Sequence, residues 1–544
     1  MEFLQRLPKR SQLRWALVLA TVAVLSAGLL AHAQQAPRLT FQEVLSVGEP
    51  AQGFAPGSVI WLIGDAPRID ADGNVSINVN VRDTAGKILQ GLYRNVAGAT
   101  QLVFKAGDPA PGTGVHFLSF PDLPQSPRIS GGRLTFSGNI EDAAAGSLGG
   151  LWSERTGSFQ LLALTGDVLP GMPPDGDLFS LEPTTRGDVV LLRAKWSRPF
   201  ETLPEDKGLW RDTGGGWEPL VVHGMPAPGL SGAVFGADPT RVFGPLFAFN
   251  ARADGRVLVQ AWVRGSKINA NNDEALWIES GAGLQILVRE GARADSREKM
   301  TFGPTSSSPT FGADIENLVP TLNDQGAVLF GAVLRSGKTR LNSLWTNRSG
   351  QLALLARGSV PVSGFGQGDQ APGFAPGVTY ATFFLGRINN RNQIAFQGTV
   401  DEFENPSRLT PAIWWDVPGA LSLVAAQGRP VPGAPGAVYA TVSFESLSDA
   451  GEIFFSAKLG GSGVTAANDG VLMRADPNGT LGIVLREGDT VEVVDTSGAR
   501  AMKVVSSFRF SRELANDGRA AAHLDFADGS SGVYTTDGLM APLQ

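Results

Sequence analysis

Three short signals recur in a fixed order along this chain, two of them eight times, and that repetition constrains the fold more than any other feature. The first is a turn that begins Gly-Asp or Gly-x-Pro and often closes with Pro-Gly. Gly107-Asp108-Pro109-Ala110-Pro111-Gly112 is its fullest copy, with relatives at Gly166-Asp167, Gly224, Gly428 and Gly488-Asp489. The second is a polar turn centred on Gly73, Gly132, Gly187, Gly255, Gly326, Asn392, Gly451 and Gly518, each followed by a β-rich run. Gly and Asn tolerate the left-handed conformation that such turns need. The third is a small residue, an aliphatic residue and usually an aromatic. Its copies are Gly91-Leu92-Tyr93, Gly150-Leu151-Trp152, Gly208-Leu209-Trp210, Ala275-Leu276-Trp277, Ser343-Leu344-Trp345, Ala412-Ile413-Trp414, Gly470-Val471-Leu472 and Gly532-Val533-Tyr534. Successive copies start 59, 58, 67, 68, 69, 58 and 62 residues apart. Chance would hold neither the order nor the spacing.

Each unit reads as four strands. One ends near the polar turn, one follows it, the small-aliphatic-aromatic signal makes the third, and an alternating run such as Leu161-Leu162-Ala163-Leu164 makes the fourth. No stretch beyond the N-terminus keeps a helical period over three turns without meeting Gly or Pro. A unit of this size cannot bury both faces of its own sheet, and stacking units in a ring solves that. The expected fold is therefore all-β, a single eight-bladed β-propeller of four-stranded blades after a cleaved signal peptide. An open solenoid is the competitor, although its coils are usually shorter and more uniform. The run Leu39–Val47 matches the fourth-strand pattern and precedes the first full unit, so it is placed to close the ring against the last unit. The alternative closing strand, around Leu539–Leu543, is a poor match.

Composition fits this reading. The 68 Gly and 35 Pro punctuate short apolar runs, and 42% hydrophobic residues supply a core. At the N-terminus a basic stretch to Arg14 leads into the apolar run Trp15–Leu30 and then Ala31-His32-Ala33. That order predicts a secretory signal over 1–33, with 34–544 as the mature repeat domain and an exported, periplasmic or extracellular location. The apolar run has 16 residues, short of the roughly 20 that span a bilayer, and no second one follows. No stable membrane span is expected after cleavage. The basic stretch holds Arg6, Lys9, Arg10 and Arg14 against Glu2, so the 45 basic and 52 acidic residues become 41 and 51 in the remainder. An acidic body without a basic stripe argues against nucleic acid. The absence of cysteine excludes disulfides, thiolate metal sites and a thiol nucleophile.

The Asn-x-x-Gly-x-x-x-Phe pattern at Asn323–Phe330, its variant at Asn389–Phe396, the Gly-Asp-x-Ala-Pro-Gly turn and the Gly-Leu-Trp strand together resemble the choice-of-anchor tandem repeat family of bacterial exported proteins. The resemblance covers about residues 39–537. It implies an exported repeat protein and no particular activity.

Chemistry is thin in the sequence. After the signal, His116, His223 and His523 fall in three different repeats without a carboxylate at ligand spacing. Asp70-Ala71-Asp72-Gly73-Asn74 opens like a calcium loop, but Val75–Val81 carries no closing carboxylate, which favours a hairpin turn. The Gly-rich turns lack the Lys-Ser/Thr of a phosphate loop, and there is no Gly-x-Ser-x-Gly elbow. No catalytic residue, metal site or cofactor is assigned. The recurring tryptophans suit packing between blades better than sugar stacking. A blade arrangement could still bring distant Asp and Glu together, to which sequence is blind.

These observations favour an exported binding or scaffold module, non-enzymatic, whose partner is a glycan, peptide or protein. The alternative is a secreted hydrolase or lyase acting on polysaccharide or another polymer. Extra length in units four to six falls on one face, at Gly265–Glu274, Gly291–Pro309, Gly358–Gly377 and Asp401–Pro411. Insertions on one face of a repeat array often mark its binding surface. The binding candidates there are Asn271, Asn272, Asp273, Phe365, Asp369 and Phe374.

Overall fold

The computed structural model describes residues 39–64, 67–121, 127–142, 144, 146–197, 206–236, 246–294, 300–303, 320–336, 339–359, 368–401, 409–416 and 420–536. Within them the chain is all-β. Eight sheets of four or five strands, antiparallel but for one parallel pairing in the eighth, follow one another along the sequence, and the eighth closes into a small barrel.

Sheet three shows the common order most simply, with Asp177–Arg186, Val189–Ser197, Asp206–Asp212 and Trp217–Val222 side by side. Sheets six (from Thr379–Ile388) and seven (from Ala437–Leu447) repeat it. Sheets one, two, four and five have five strands instead of the expected four, because their first strand is split. Val59–Ile63 and Arg68–Ile69, for example, pair with opposite halves of Val75–Arg82.

The three sequence signals have physical causes here. The polar turn joins strands one and two. In sheet one, Asp70 Oδ1 accepts the backbone N–H of Asp72 and Asn74 at 3.0 and 2.9 Å, and Gly73 takes a φ of 84°. The acidic stretch is therefore a carboxylate-stapled hairpin turn. Asn392 stands in the glycine place of sheet six with a φ of 61°, which Asn tolerates best among residues with a side chain.

The first and third signals are two halves of one device. The indole N–H groups of Trp152, Trp210, Trp277 and Trp414 donate to the carbonyls of Pro111, Pro170, Pro228 and Pro372 at 3.0, 2.8, 3.1 and 3.2 Å. All four rings are fully buried. In sheet seven the third-strand bulge falls between Leu472 and Met473, as it falls between Leu276 and Trp277 in sheet four. Met473 therefore holds the aromatic's place, and the reading of Gly470-Val471-Leu472 is one residue early.

Sheet eight takes its outer strand from the other end of the chain. Thr40–Ser46 pairs antiparallel with Ser531–Thr536, from Phe41 opposite Thr536 to Ser46 opposite Gly532. Residues 539–543, the other candidate for that role, lie outside the described residues, as does the signal segment. Thr40–Gln42 also pairs parallel with Glu492–Val494, part of a hairpin of Thr490–Val494 and Arg500–Phe510, which closes the barrel. The sequence reading placed a plain first strand there.

Each sheet touches the next, and the eighth touches the first. Gly132 N–H donates to Asp70 Oδ2 at 2.9 Å, and Arg155 pairs with Asp212 at 2.5 Å. Arg211 pairs with Glu279 at 2.9 Å, and Ala253 N–H donates to Asp324 Oδ1 at 2.7 Å. The amide of Asn323 donates to the Asn389 carbonyl at 2.7 Å, and that of Asn389 to the Ser448 carbonyl at 2.8 Å. Arg512 lies 3.7 Å from Glu445, and Asn516 N–H donates to the Ala71 carbonyl at 2.8 Å. The core lies between sheets. Trp277 of sheet four packs with Leu191 and Leu209 of sheet three, and Val533 of sheet eight packs with Val75 of sheet one.

Candidate functional site

The first strands of the sheets end in a charged cluster. Arg68, Arg128, Arg387 and Glu513 each stand one residue before the apolar residue (Ile69, Ile129, Ile388 or Leu514) that leads into the polar turn of its sheet. Because all hold one place in the repeat, side chains from sheets one, two, six and eight converge. Arg186 of sheet three, Glu445 of sheet seven and Arg512 of sheet eight join them. Arg128 Nη1 donates to Glu513 Oε1 at 3.0 Å, and Glu445 accepts from Ser456 Oγ at 2.6 Å.

The electrostatics are those of crowded positive charge. Burial lowers the pKa of Arg128, and nearby Arg68 and Arg186 lower it further against the opposing pull of Glu513. Burial likewise lowers that of Arg387, with Arg186 and Arg512 adding to the effect. Glu513 keeps 39% of its side chain exposed, while its partner Arg128 is largely buried.

A second charged group lies at the opposite ends of the strands, between sheets four and five. Burial raises the pKa of Glu290 to about 8, helped by the charges of Asp273 and Glu274 and a hydrogen bond with Asp273. Arg335 of sheet five opposes that shift from 3.4 Å. Gln260 donates to Glu274 at 2.6 Å. All three carboxyls are buried, which suits a locked contact more than a substrate site.

Of the sequence-derived binding candidates, Asn271, Asn272 and Asp273 sit together in the loop between Val257–Gly265 and Glu274–Ser280. Hydrogen bonds hold the loop in shape there. Asn272 Oδ1 accepts Asn269 N–H at 2.8 Å, and its carbonyl accepts Arg289 Nε at 2.9 Å. Asn468 of sheet seven repeats both contacts with Thr465 and Arg486, at 2.8 and 2.7 Å. Asp369 accepts Arg357 N–H at 2.8 Å and pairs with its guanidinium at 2.9 Å. Phe374 packs against Trp414 with centroids 6.2 Å apart, under Arg429. Phe365 lies outside the described residues. The candidates thus divide between two sheets and are engaged in holding loops. Gly291 approaches the Asn271 carbonyl so closely that a Cβ would meet it at 2.9 Å, so the two kinds of connection do share one end of the sheet. The arginine cluster lies at the other end, and no sequence window contains it.

The model of a family of unknown function, DUF7453, matches residues 28–310, 129–367 and 304–542. No curated protein matches the chain. Among solved structures, a polysaccharide lyase, Uly1, aligns over 92% of this chain and 97% of its own at 11% identity and a TM-score of 0.32. An α-L-arabinofuranosidase of Fusarium graminearum aligns over 67% and 93% at 12% identity and a TM-score of 0.25. An α-L-arabinanase of Penicillium chrysogenum aligns over 70% and 98% at 11% identity and a TM-score of 0.24. At these TM-scores no residue or role is transferred from them to this chain. The names of these three matches are those of enzymes that act on carbohydrate, whereas the expectation here was a non-enzymatic binding or scaffold module. That expectation is withdrawn in favour of its alternative. No helix among the described residues is long and apolar enough to cross a membrane.

Proposed function

Because the chain belongs to the DUF7453 family, which has no known function, we propose one from the chain's own geometry: an exported hydrolase or lyase acting on polysaccharide, with its site where the first strands converge. The observation that carries this reading is two partly exposed carboxylates, Glu513 and Glu445, each set beside an arginine from another sheet. Both chemistries need groups that move a proton beside the scissile bond, and carboxylates do that work. A lyase also develops enolate-like negative charge, which preorganised guanidinium groups stabilise most where water is partly excluded, whereas a hydrolase passes through an oxocarbenium-like state that the carboxylates stabilise.

The wider frame of the reading is one closed eight-bladed propeller spanning residues 34–544. Eight sheets that touch in sequence, with contacts returning from the eighth to the first, support a ring. In such a ring the convergence of first strands is the axial mouth. Removal of 1–33 as a secretory signal would place the enzyme outside the cytoplasm, where polysaccharide is met.

The test is product analysis of the mature protein on a panel of plant and algal polysaccharides. New reducing ends are expected, with an unsaturated chromophore marking a lyase and its absence a hydrolase. Glu513→Gln and Glu445→Gln, checked for an unchanged melting temperature, should each lower the rate at least about 100-fold if the carboxyl transfers a proton. Full rates in both variants, or no product from any polymer, would refute the assignment.

A further inference from the structure

We propose that the substrate is an acidic polysaccharide, carrying uronate carboxylates or sulfate esters, and that it lies along the first strands of sheets one to three. The proposal rests on the polysaccharide-active reading above. Two separate features of the same three strands carry it.

The first is a repeated bulge. The register of strand one slips at one place in sheet after sheet: Ile60/Leu62, Phe117/Ser119, Leu178/Ser180, Tyr380/Thr382, Tyr439/Thr441 and Val505/Ser507. A bulge leaves one residue unpaired and re-aims its side chain. That residue is Trp61, Leu118 or Phe179 in sheets one to three, but Ala381, Ala440 or Ser506 in sheets six to eight. The three large ones are 46%, 42% and 42% exposed, and Leu62 beside Trp61 is 53% exposed. Arg82 lies over the Trp61 ring, 3.0 Å from its centroid, and holds it in place. At this bulge the large exposed apolar side chains fall in three consecutive sheets, and Met502 and Val504 on the first strand of sheet eight, the sheet that touches sheet one, are exposed as well. Sugar rings have apolar C–H faces that stack on such side chains.

The second feature is charge. The first strand of sheet three runs on to Arg186, and the second halves of the split first strands of sheets one and two carry Arg68 and Arg128, beside Arg387 and Arg512. Five guanidinium groups gather round two carboxylates in a chain that is acidic as a whole, with 45 basic and 52 acidic residues. Arg387 makes no ion pair among the described residues. Guanidinium matches the planar or tetrahedral oxyanions of carboxylate and sulfate with paired hydrogen bonds. A neutral glycan would leave that positive excess unmet. Phe179 and Arg186 stand on one strand whose rise of about 3.3 Å per residue separates them by roughly 23 Å. That is the reach of an oligomer, longer than a single sugar.

The experiment is calorimetric titration of the mature protein with polygalacturonate, with its methyl ester and with dextran sulfate, alongside product analysis of each. Wild type should bind an acidic polymer and leave the ester unbound, with affinity falling as salt screens the contacts. The polygalacturonate and dextran sulfate arms identify which anion is recognised. Arg387→Gln should weaken binding about tenfold. Phe179→Ala should weaken it about three- to tenfold. Neither should shift the melting temperature. Equal binding to the ester, an unchanged Arg387→Gln, or no binding to either acidic polymer would overturn the proposal. Cleavage of a neutral polysaccharide with those results would leave the enzymatic reading standing. Acidic-polymer binding without product from any polymer of the panel would sink the enzymatic reading alone.

Discussion

Trp277 shows what the repeat asks of single residues. It fills space between two sheets and donates to Pro228, so its side chain couples the third strand to the turn that enters the same sheet. Trp277→Ala should cost about 3–5 kcal/mol through the cavity it leaves, out of a usual margin of about 5–15 kcal/mol. Trp277→Phe keeps most of the volume and loses one hydrogen bond, at about 1 kcal/mol. Chemical denaturation of the two variants separates packing from bonding. The position was legible in the sequence because one residue type recurs at one spacing. The ion pairs were not. Arg155 and Asp212, or Arg211 and Glu279, are 57 and 68 positions apart and meet only once neighbouring sheets stack. Glu290 was equally hidden, since its environment comes from Asp273, Glu274 and the next sheet's Arg335. Its carboxyl holds a proton to about pH 8 when folded but releases it near 4.5 when exposed. The folded state therefore binds more protons between those values, and stability falls as pH rises through that window, by at most about 1.4 kcal/mol per pH unit. Glu290→Gln should flatten that part of the profile and melt higher than wild type at pH 8. Parallel profiles for the two proteins would contradict the buried-carboxyl account.

At the scale of elements, strand order and turn chemistry were readable, and the departures have physical reasons. The first strand splits in four sheets because its two halves pair with different stretches of strand two, and no periodicity marks the interruption. The seventh aromatic place went to Met473 because a bulge, invisible in sequence, sets the register. The hairpin of Thr490–Val494 and Arg500–Phe510 reads as one first strand until Asp495 is seen to staple the turn, its Oδ1 accepting Ser497 and Ala499 N–H at 2.8 and 2.9 Å. The N-terminal strand was anticipated from its alternating pattern. Deleting residues 39–47 should lower the melting temperature and promote aggregation, because Ser531–Thr536 would then present an open edge. Thermal melts with light scattering check this, and an unchanged melt would remove the strand from any structural role.

On the scale of the whole molecule, the repeat predicted the eight sheets but not the site. The candidate cluster draws on sheets one, two, three, six, seven and eight, each contributing a residue or two that looks unremarkable in its own unit. The polar residues Asn271 to Asp273 lie in a loop whose hydrogen bonding sheet seven repeats. Everything proposed about function depends on first strands meeting round one axis, which requires the two ends of the chain to join in one sheet. The chain has no cysteine, so one introduced pair gives a clean readout. Gln42 stands opposite Thr535 across the junction of the N-terminal strand with Ser531–Thr536. In the variant carrying both Gln42→Cys and Thr535→Cys, mild oxidation should form an intramolecular disulfide quantitatively, since directly opposed strand residues meet its distance limits. Thiol titration and the faster non-reducing gel mobility of a chain tied at both ends would register it. Free thiols after oxidation, or disulfides only between separate chains, would contradict ring closure and the site built on it.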